Sequence, residues 1–282
     1  VVEGKEETYR SLKTHYDQAL KLEQEGMINR AERLFAQVSM EEAKRELESA
    51  RKDLEVAAQA LKSLINVDDN TDIRTTTSLF INESFPSATY FKEMIPFSNY
   101  TVNQLRLQEN IAEDNLKIGR AGYLPNIALI GKQTLYSDGV DKYLMPRTMI
   151  GVGFTWNIFD GLEREKTIRQ ARLTRQSLAI GKDKAVTDLQ VGVDKFHTQM
   201  QNALDNVKAL NTTLEMSNEL VRIRMKSFQE GMATSSDVVD AEVMLSKVKT
   251  AFLLAYYQYD VALANLLSVC GIPEAFEQYR RD

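Results

Sequence analysis

Along most of the chain apolar residues return at alternating steps of four and three, the period of a helix that buries one stripe; in one interval they return at every second position. Tyr9, Leu12, Tyr16 and Ala19 predict a helix over residues 1–24, interrupted at Glu25-Gly26-Met27. Asn29, followed three residues later by Glu32, has the form of a capping box and opens a second helix. Ala36, Met40, Ala43, Leu47, Ala50, Leu54, Ala57, Leu61 and Leu64 then keep heptad order. Between Asn66 and Tyr100 the pattern dissolves into polar runs (DDNTD, TTTS), prolines and short apolar pieces, which predicts a connector with at most one short helix near Ala88–Met94. A new helix begins at Ser98 or Asn99, carries Val102, Leu105, Ala112 and Leu116, and ends at Gly119–Gly122, where Pro125 prevents continuation.

The period-two interval lies between two helical stretches. Ile150, Val152, Phe154, Trp156 and Ile158 alternate with Gly151, Gly153, Thr155 and Asn157, so one face of this strand is apolar and the other small or polar. A first strand over Pro125–Tyr136 puts Ile127, Leu129 and Leu135 on one side, and the loop Ser137–Arg147 carries the Gly, Asp and Pro of a turn. Each run has about the 9–11 residues that a tilted transmembrane strand needs. The same alternation suits an amphipathic hairpin packed on a soluble core.

After Asp160-Gly161 no proline occurs until well past Phe228, and Leu189, Val193, Phe196, Met200, Ala203, Val207, Leu210, Leu214, Ser217 and Val221 hold the four-three spacing. A helix of that length would run about 100 Å at 1.5 Å per residue. Glu230-Gly231-Met232 breaks it, Thr234 and Asp237 form another capping pattern, and the stripe returns from Ala241 to Val269. A shift of 205 positions (231 minus 26) lays one EGM on the other and all nine stripe positions from Ala36 to Leu64 on those from Ala241 to Val269. The chain therefore contains an internal duplication. By the same shift Val1 corresponds to Asn206, so counterparts of Ser98–Asp205, a first β-hairpin among them, are expected upstream; the chain reads as the C-terminal part of a longer protein.

Composition narrows the function classes. With 282 residues, a formal charge of −5 and no basic patch, the chain lacks the electrostatic footprint of a nucleic-acid binder. Cys270 is the single cysteine, which excludes a disulfide framework and a CxxC motif and reads as a small apolar residue at a helix end. No apolar run is long enough for a transmembrane helix, and the sequence VVEGKEETYR is not a signal peptide. No phosphate-binding loop, nucleophile elbow or HExxH pair occurs; His15 and His197 read as surface or interhelix residues. No catalytic residue, cofactor or metal is expected.

The segments AGYLPNIALIG, VGFTWNIFDGLEREKTIRQAR and FQEGMATSSDVVDAEVMLSKVK resemble, in order and spacing, the TolC-like outer-membrane efflux proteins. The likeness covers about Ser98–Pro273 and, through the duplication, Val1 to about Val67. It implies a mainly α fold of long antiparallel coiled-coil hairpins of the α-barrel type, with a β-hairpin contributing to a transmembrane β-barrel shared by a homotrimer. It also implies tip turns at Gly26, Met27, Gly231 and Met232, and a constriction lined by Asp237 and Asp240. Where some members have an aromatic and an arginine that latch the tip, this chain has Phe228 and Ala233, so the basic latch is missing. Independently of the resemblance, a carboxylate in the first turn of a helix favours its dipole, so Asp237 reads equally as a cap, as Glu32 does in the first copy. Asp240 lies beyond the cap and its counterpart is Phe35, so capping does not explain it.

The implied organisation is a helical hairpin (1–66), a connector (67–98), a helix leading into the strands (99–122), a transmembrane-type β-hairpin (123–160) with Ile150, Val152, Phe154, Trp156 and Ile158 facing lipid, a long helical hairpin (161–270) and a tail (271–282). The function implied is a non-enzymatic conduit in the outer membrane of a Gram-negative bacterium, reaching into the periplasm. Its partners would be a periplasmic adaptor and the inner-membrane transporter of an efflux pump or type I secretion system. The rival is a soluble coiled-coil scaffold in which the β-hairpin is a packing device. The two differ in whether the apolar strand face meets lipid or a protein core.

Overall fold

The computed structural model describes residues 1–68, 70, 71, 73, 75, 78–135 and 148–281. Its elements are α1 (Val2–Gln24), α2 (Arg30–Ile65), α3 (Ala88–Ser98), α4 (Tyr100–Ala121), β1 (Asn126–Gln133), β2 (Thr148–Thr155), α5 (Glu163–Gln229), α6 (Ser235–Cys270), a 3-10 turn (Pro273–Ala275) and α7 (Phe276–Arg281). The loop expected at Ser137–Arg147 lies outside the described residues. The chain forms two compact units: Val1–Ala88 with Val193–Ser268 and Ile272–Asp282, and Thr89–Gly192 with Val269–Gly271.

The duplication reaches the ends of the helices. Moved by the 205 residues that separate Gly26 from Gly231, the end of α1 at Gln24 falls on the end of α5 at Gln229, and α2 falls on α6 at both its first and its last residue. Both turns are built alike. Gly26 and Gly231 each sit at φ +75°, a backbone region that favours glycine. The N–H of Met27 reaches the carbonyl of Leu22 and that of Met232 the carbonyl of Ser227, both at 2.8 Å, closing matched Schellman caps.

In the first unit the two helical hairpins share one seam. Leu12 and Ala19 of α1, Ala36 and Ala43 of α2, Phe228 of α5 and Val238 and Val239 of α6 are its buried apolar residues. Small residues alternate with large ones along the stripe, which lets the backbones approach. The upper part of the first copy departs from expectation: Leu54 and Leu64 are 58% and 83% exposed, whereas Tyr259, the counterpart of Leu54, is fully buried. The ion pairs Lys5–Glu46 and Glu6–Arg51 join α1 to α2.

Around Tyr259 the connector and the tail form a second knot. The Tyr259 hydroxyl accepts from the Asn82 N–H at 3.1 Å and donates to the Asn82 carbonyl at 3.0 Å. Phe80 meets Tyr259 and Phe276 edge-on, Phe85 packs on Tyr279, and the Asn82 side-chain amide donates to the Tyr279 carbonyl at 3.3 Å. His197 contacts the Pro86 carbonyl at 3.1 Å, so this histidine faces another element of the unit.

In the second unit α3 runs four residues past the Met94 expected as its end, with Pro96 inside it. Pro96 gives up its own N–H bond and crowds the carbonyl one turn back, and the buried Phe91 and Ile95 pack the last turn against it. Asn99 then serves two helices at once: its Oδ1 accepts from the Val102 N–H at 3.1 Å and caps α4, while its Nδ2 donates to the Val269 carbonyl at 2.7 Å. Gly271, at φ +78°, lets the chain pass so close to Ser98 that a Cβ would lie 2.5 Å from the Ser98 carbonyl oxygen. Cys270, the last residue of α6, is fully buried, and burial pushes its thiol up to about 11.

Candidate functional site

Two features stand apart from helix packing: the hairpin tips in the first unit and the strand pair in the second. At the tip, Asp237 closes the capping box read from the sequence. Its Oδ2 accepts from the Thr234 N–H at 2.9 Å and from the Thr234 hydroxyl at 2.7 Å, while Thr234 Oγ1 accepts from the Asp237 N–H at 3.2 Å. These bonds, the backbone one foremost, hold the Asp237 carboxyl below the usual carboxylate range. Arg224 of α5 stands 3.5 Å from Asp237 Oδ1. A cation therefore faces Asp237 from the preceding helix although Ala233 offers none. Asp240 is exposed and forms no hydrogen bond or ion pair among the described residues.

The first copy uses the same positions differently. Asn29 Oδ1 accepts from the Glu32 N–H at 3.0 Å, as the capping pattern predicts, but Glu32 does not fold back. Its Oε2 accepts from the Ser235 N–H at 2.7 Å and so caps the first turn of α6 in the other hairpin. One extra methylene gives glutamate the reach that aspartate lacks. Next to this contact, Phe228 is fully buried and meets the His15 ring edge-on at 4.6 Å. His15 is itself fully buried, with no hydrogen-bond partner for either ring nitrogen. Its heptad position pointed to an interhelix residue; complete burial without a partner was not legible. Farther from the tip along the seam, Glu242 is buried, accepts from the Ser11 hydroxyl, and is raised by burial above the usual glutamate range.

The strand pair is antiparallel, with Asn126 opposite Thr155 and Gln133 opposite Thr148. Ile127 stands opposite Phe154 and Leu129 opposite Val152, so the apolar side chains of both strands share one face. Ile150, Val152 and Phe154 are 78%, 72% and 64% exposed. The expected alternation through Trp156 and Ile158 is shortened, because β2 ends at Thr155. There Trp156 Nε1 donates to the Tyr123 carbonyl at 3.2 Å and Arg164 donates to the Asn157 carbonyl at 2.8 Å, which draws the chain off the strand line. Arg164 also lies 4.7 Å above the Tyr123 ring, and the Tyr123 hydroxyl donates to Glu165 at 2.8 Å. This clasp fixes the root of the hairpin on the start of α5. Trp156 and Ile158 remain exposed beside it.

Among the described residues no helix is long and apolar enough to cross a membrane, and no group of three or more His, Cys, Asp or Glu is arranged to hold a metal ion.

Residues 98–271 match a family model described as Outer membrane efflux protein. The chain is 23% identical over 189 residues to the alkaline protease secretion protein AprF of Pseudomonas aeruginosa, across 66% of this chain and 39% of AprF. Its fold is similar to that of VceC from Vibrio cholerae, with a TM-score of 0.74 at 16% identity over 96% of this chain and 65% of VceC. It is likewise similar to the Neisseria gonorrhoeae MtrE outer membrane channel in its open state, with a TM-score of 0.76 at 21% identity over 96% of this chain and 62% of MtrE. The chain thus spans about two-fifths of AprF and just under two-thirds of VceC and of MtrE.

Proposed function

The chain belongs to the outer membrane efflux protein family, and from that premise we propose that it is part of a passive export conduit. In this reading three copies pool their strands into one barrel in the outer membrane of a Gram-negative cell, and the helical hairpins line a periplasmic passage. The conduit works with a periplasmic adaptor and an inner-membrane transporter. Small-molecule efflux and type I protein secretion are both served by such a passage, and the likeness to a protease secretion protein favours the second.

The observation that carries the reading is the strand pair. Its Ile127, Leu129, Val152 and Phe154 form a continuous apolar face that is exposed in the single chain. Exposed apolar faces of that kind mark interaction with lipid or protein. A barrel satisfies both the apolar face and the open strand edges, since closure leaves no backbone group unpaired in hydrocarbon. In the same reading the tip carboxylates Asp237 and Asp240 line the passage, where Asp240, free of any cap, is the better placed to meet a passing ion.

Trp156 is the only tryptophan, which makes the hairpin root directly observable. In vesicles containing lipids brominated along the acyl chain, its fluorescence is expected to be quenched while aqueous iodide has little effect. Emission indifferent to bromine and quenched by iodide would leave the hairpin outside lipid and favour a soluble scaffold.

A further inference from the structure

The two helical hairpins of the first unit meet through a seam that holds one polar ring with nothing to bond it. His15, on α1, is fully buried, and both Nδ1 and Nε2 lack partners. The ring packs on Phe228 of α5, beside a cluster of Ala19, Ala36, Phe228 and Val238 to which all four helices contribute. A neutral imidazole is tolerated there at a moderate desolvation cost; an imidazolium, with two donors and a charge, is not.

We propose that His15 makes opening of this seam proton-linked, so that acid loosens the contact between the two helical hairpins. The charged groups around it leave the imidazolium little to pair with. From α2, Glu32 is close enough to favour the charged ring, but its Oε2 is held by the Ser235 N–H, and Arg33 is paired with Glu23 of α1 at 2.5 Å. From α5, Arg224 is paired with Asp237. From α6, Asp237 is bound to Thr234, and Glu242 accepts from Ser11, one turn before His15. On α1 itself, three residues on, Gln18 Oε1 is buried without a partner and is an acceptor that a charged ring could use.

Burial lowers the His15 pKa to about 4 from the solvated 6.5, against a smaller upward pull from Glu32. The neutral ring therefore supports the closed seam fully above pH 6.5, and that support is withdrawn as pH falls toward 4. Glu242 acts in the opposite sense, because its raised carboxyl pKa makes acid relieve its burial cost. The two contributions are separable, since only one disappears when His15 is replaced.

The test is amide hydrogen exchange of residues 9–22 in the full chain held in detergent, from pH 7.5 to 4.5, corrected for intrinsic rates, for the wild type, His15→Gln and His15→Met. Relative to either variant, wild-type protection is expected to fall with a limiting slope of about tenfold per pH unit below pH 6.5. A variant that loosens the seam uniformly shifts its whole profile and leaves this difference in slope intact. Parallel profiles for wild type and both variants would overturn the proposal, as would wild-type protection that rises on acidification relative to both variants. The inference needs only the seam and stands apart from the conduit.

Discussion

Glu32 Oε2 accepts the Ser235 N–H across the two helical hairpins at 2.7 Å, although the equivalent carboxylate of the second copy, Asp237, spends itself on its own Thr234. A duplicated position has thus diverged into a local cap in one copy and a bridge in the other. Glu32→Ala is expected to lower the unfolding free energy by about 1–2 kcal/mol, the usual cost of removing a side-chain cap from a helix N-terminus. Asp237→Asn keeps an acceptor for Thr234 and should cost less. Chemical denaturation followed by circular dichroism separates them, and equal losses would show that the bridge adds nothing beyond local capping.

Glycine at the helix ends gives a graded prediction. At Gly26 and Gly231 a Cβ would meet nothing within 4 Å, so alanine there suffers only the left-handed backbone, about 1 kcal/mol each. Gly271 has the same backbone sign, but its Cβ would collide with Ser98 and Asn99 backbone. Gly271→Ala should therefore cost several times more and lower the melting temperature accordingly. At the equivalent Asn66, φ is +53° and a side chain is already present, so Asn66→Gly should be close to neutral.

Asp260 holds a buried Oδ1 without a partner, and burial raises its pKa to about 6, against the Phe80 N–H and the charge of Arg280. A carboxyl raised in the folded state costs stability when ionised. The cost is present above pH 6 and is relieved as pH falls through about 6 toward 3.8. Asp260→Asn is expected to raise the melting temperature at pH 7.5 and to flatten its pH dependence in that window. A lower melting temperature at pH 7.5 would mean that the charge is used.

If the tip carboxylates face a passage, neutralising them weakens its preference for cations. Asp240→Asn should change single-channel selectivity of the assembled channel more than Asp237→Asn, because Asp237 already answers to Thr234 and Arg224. Unchanged selectivity in the double variant would put both side chains away from the ion path.

Much of the helical framework was legible in the sequence, because a heptad stripe and an EGM turn are local signals that tertiary structure had no reason to override. The repeat of 205 residues fixed the two Schellman turns and the start of both capped helices. Three things escaped. Leu54 and Leu64 carry the stripe but stay exposed, because a heptad names an apolar face and not the element that covers it. Strand β2 stops at Thr155 because Trp156 and Arg164 bind backbone carbonyls that alternation alone cannot reveal. At the tip, Arg224 sits thirteen residues before Asp237 in sequence, so its proximity exists only once the helices have turned back.

The equal length of α2 and α6, 36 residues each, makes them matched rulers of about 54 Å. Each begins at a capped turn and ends in a left-handed residue, Asn66 or Gly271. One residue inserted into only one ruler would rotate everything beyond it by about 100° and carry that end off its landing point. In Gly271 the landing is a backbone gap with no room to spare. Natural length variants are therefore expected to change both helices together, in steps of about seven residues, which preserve the heptad register.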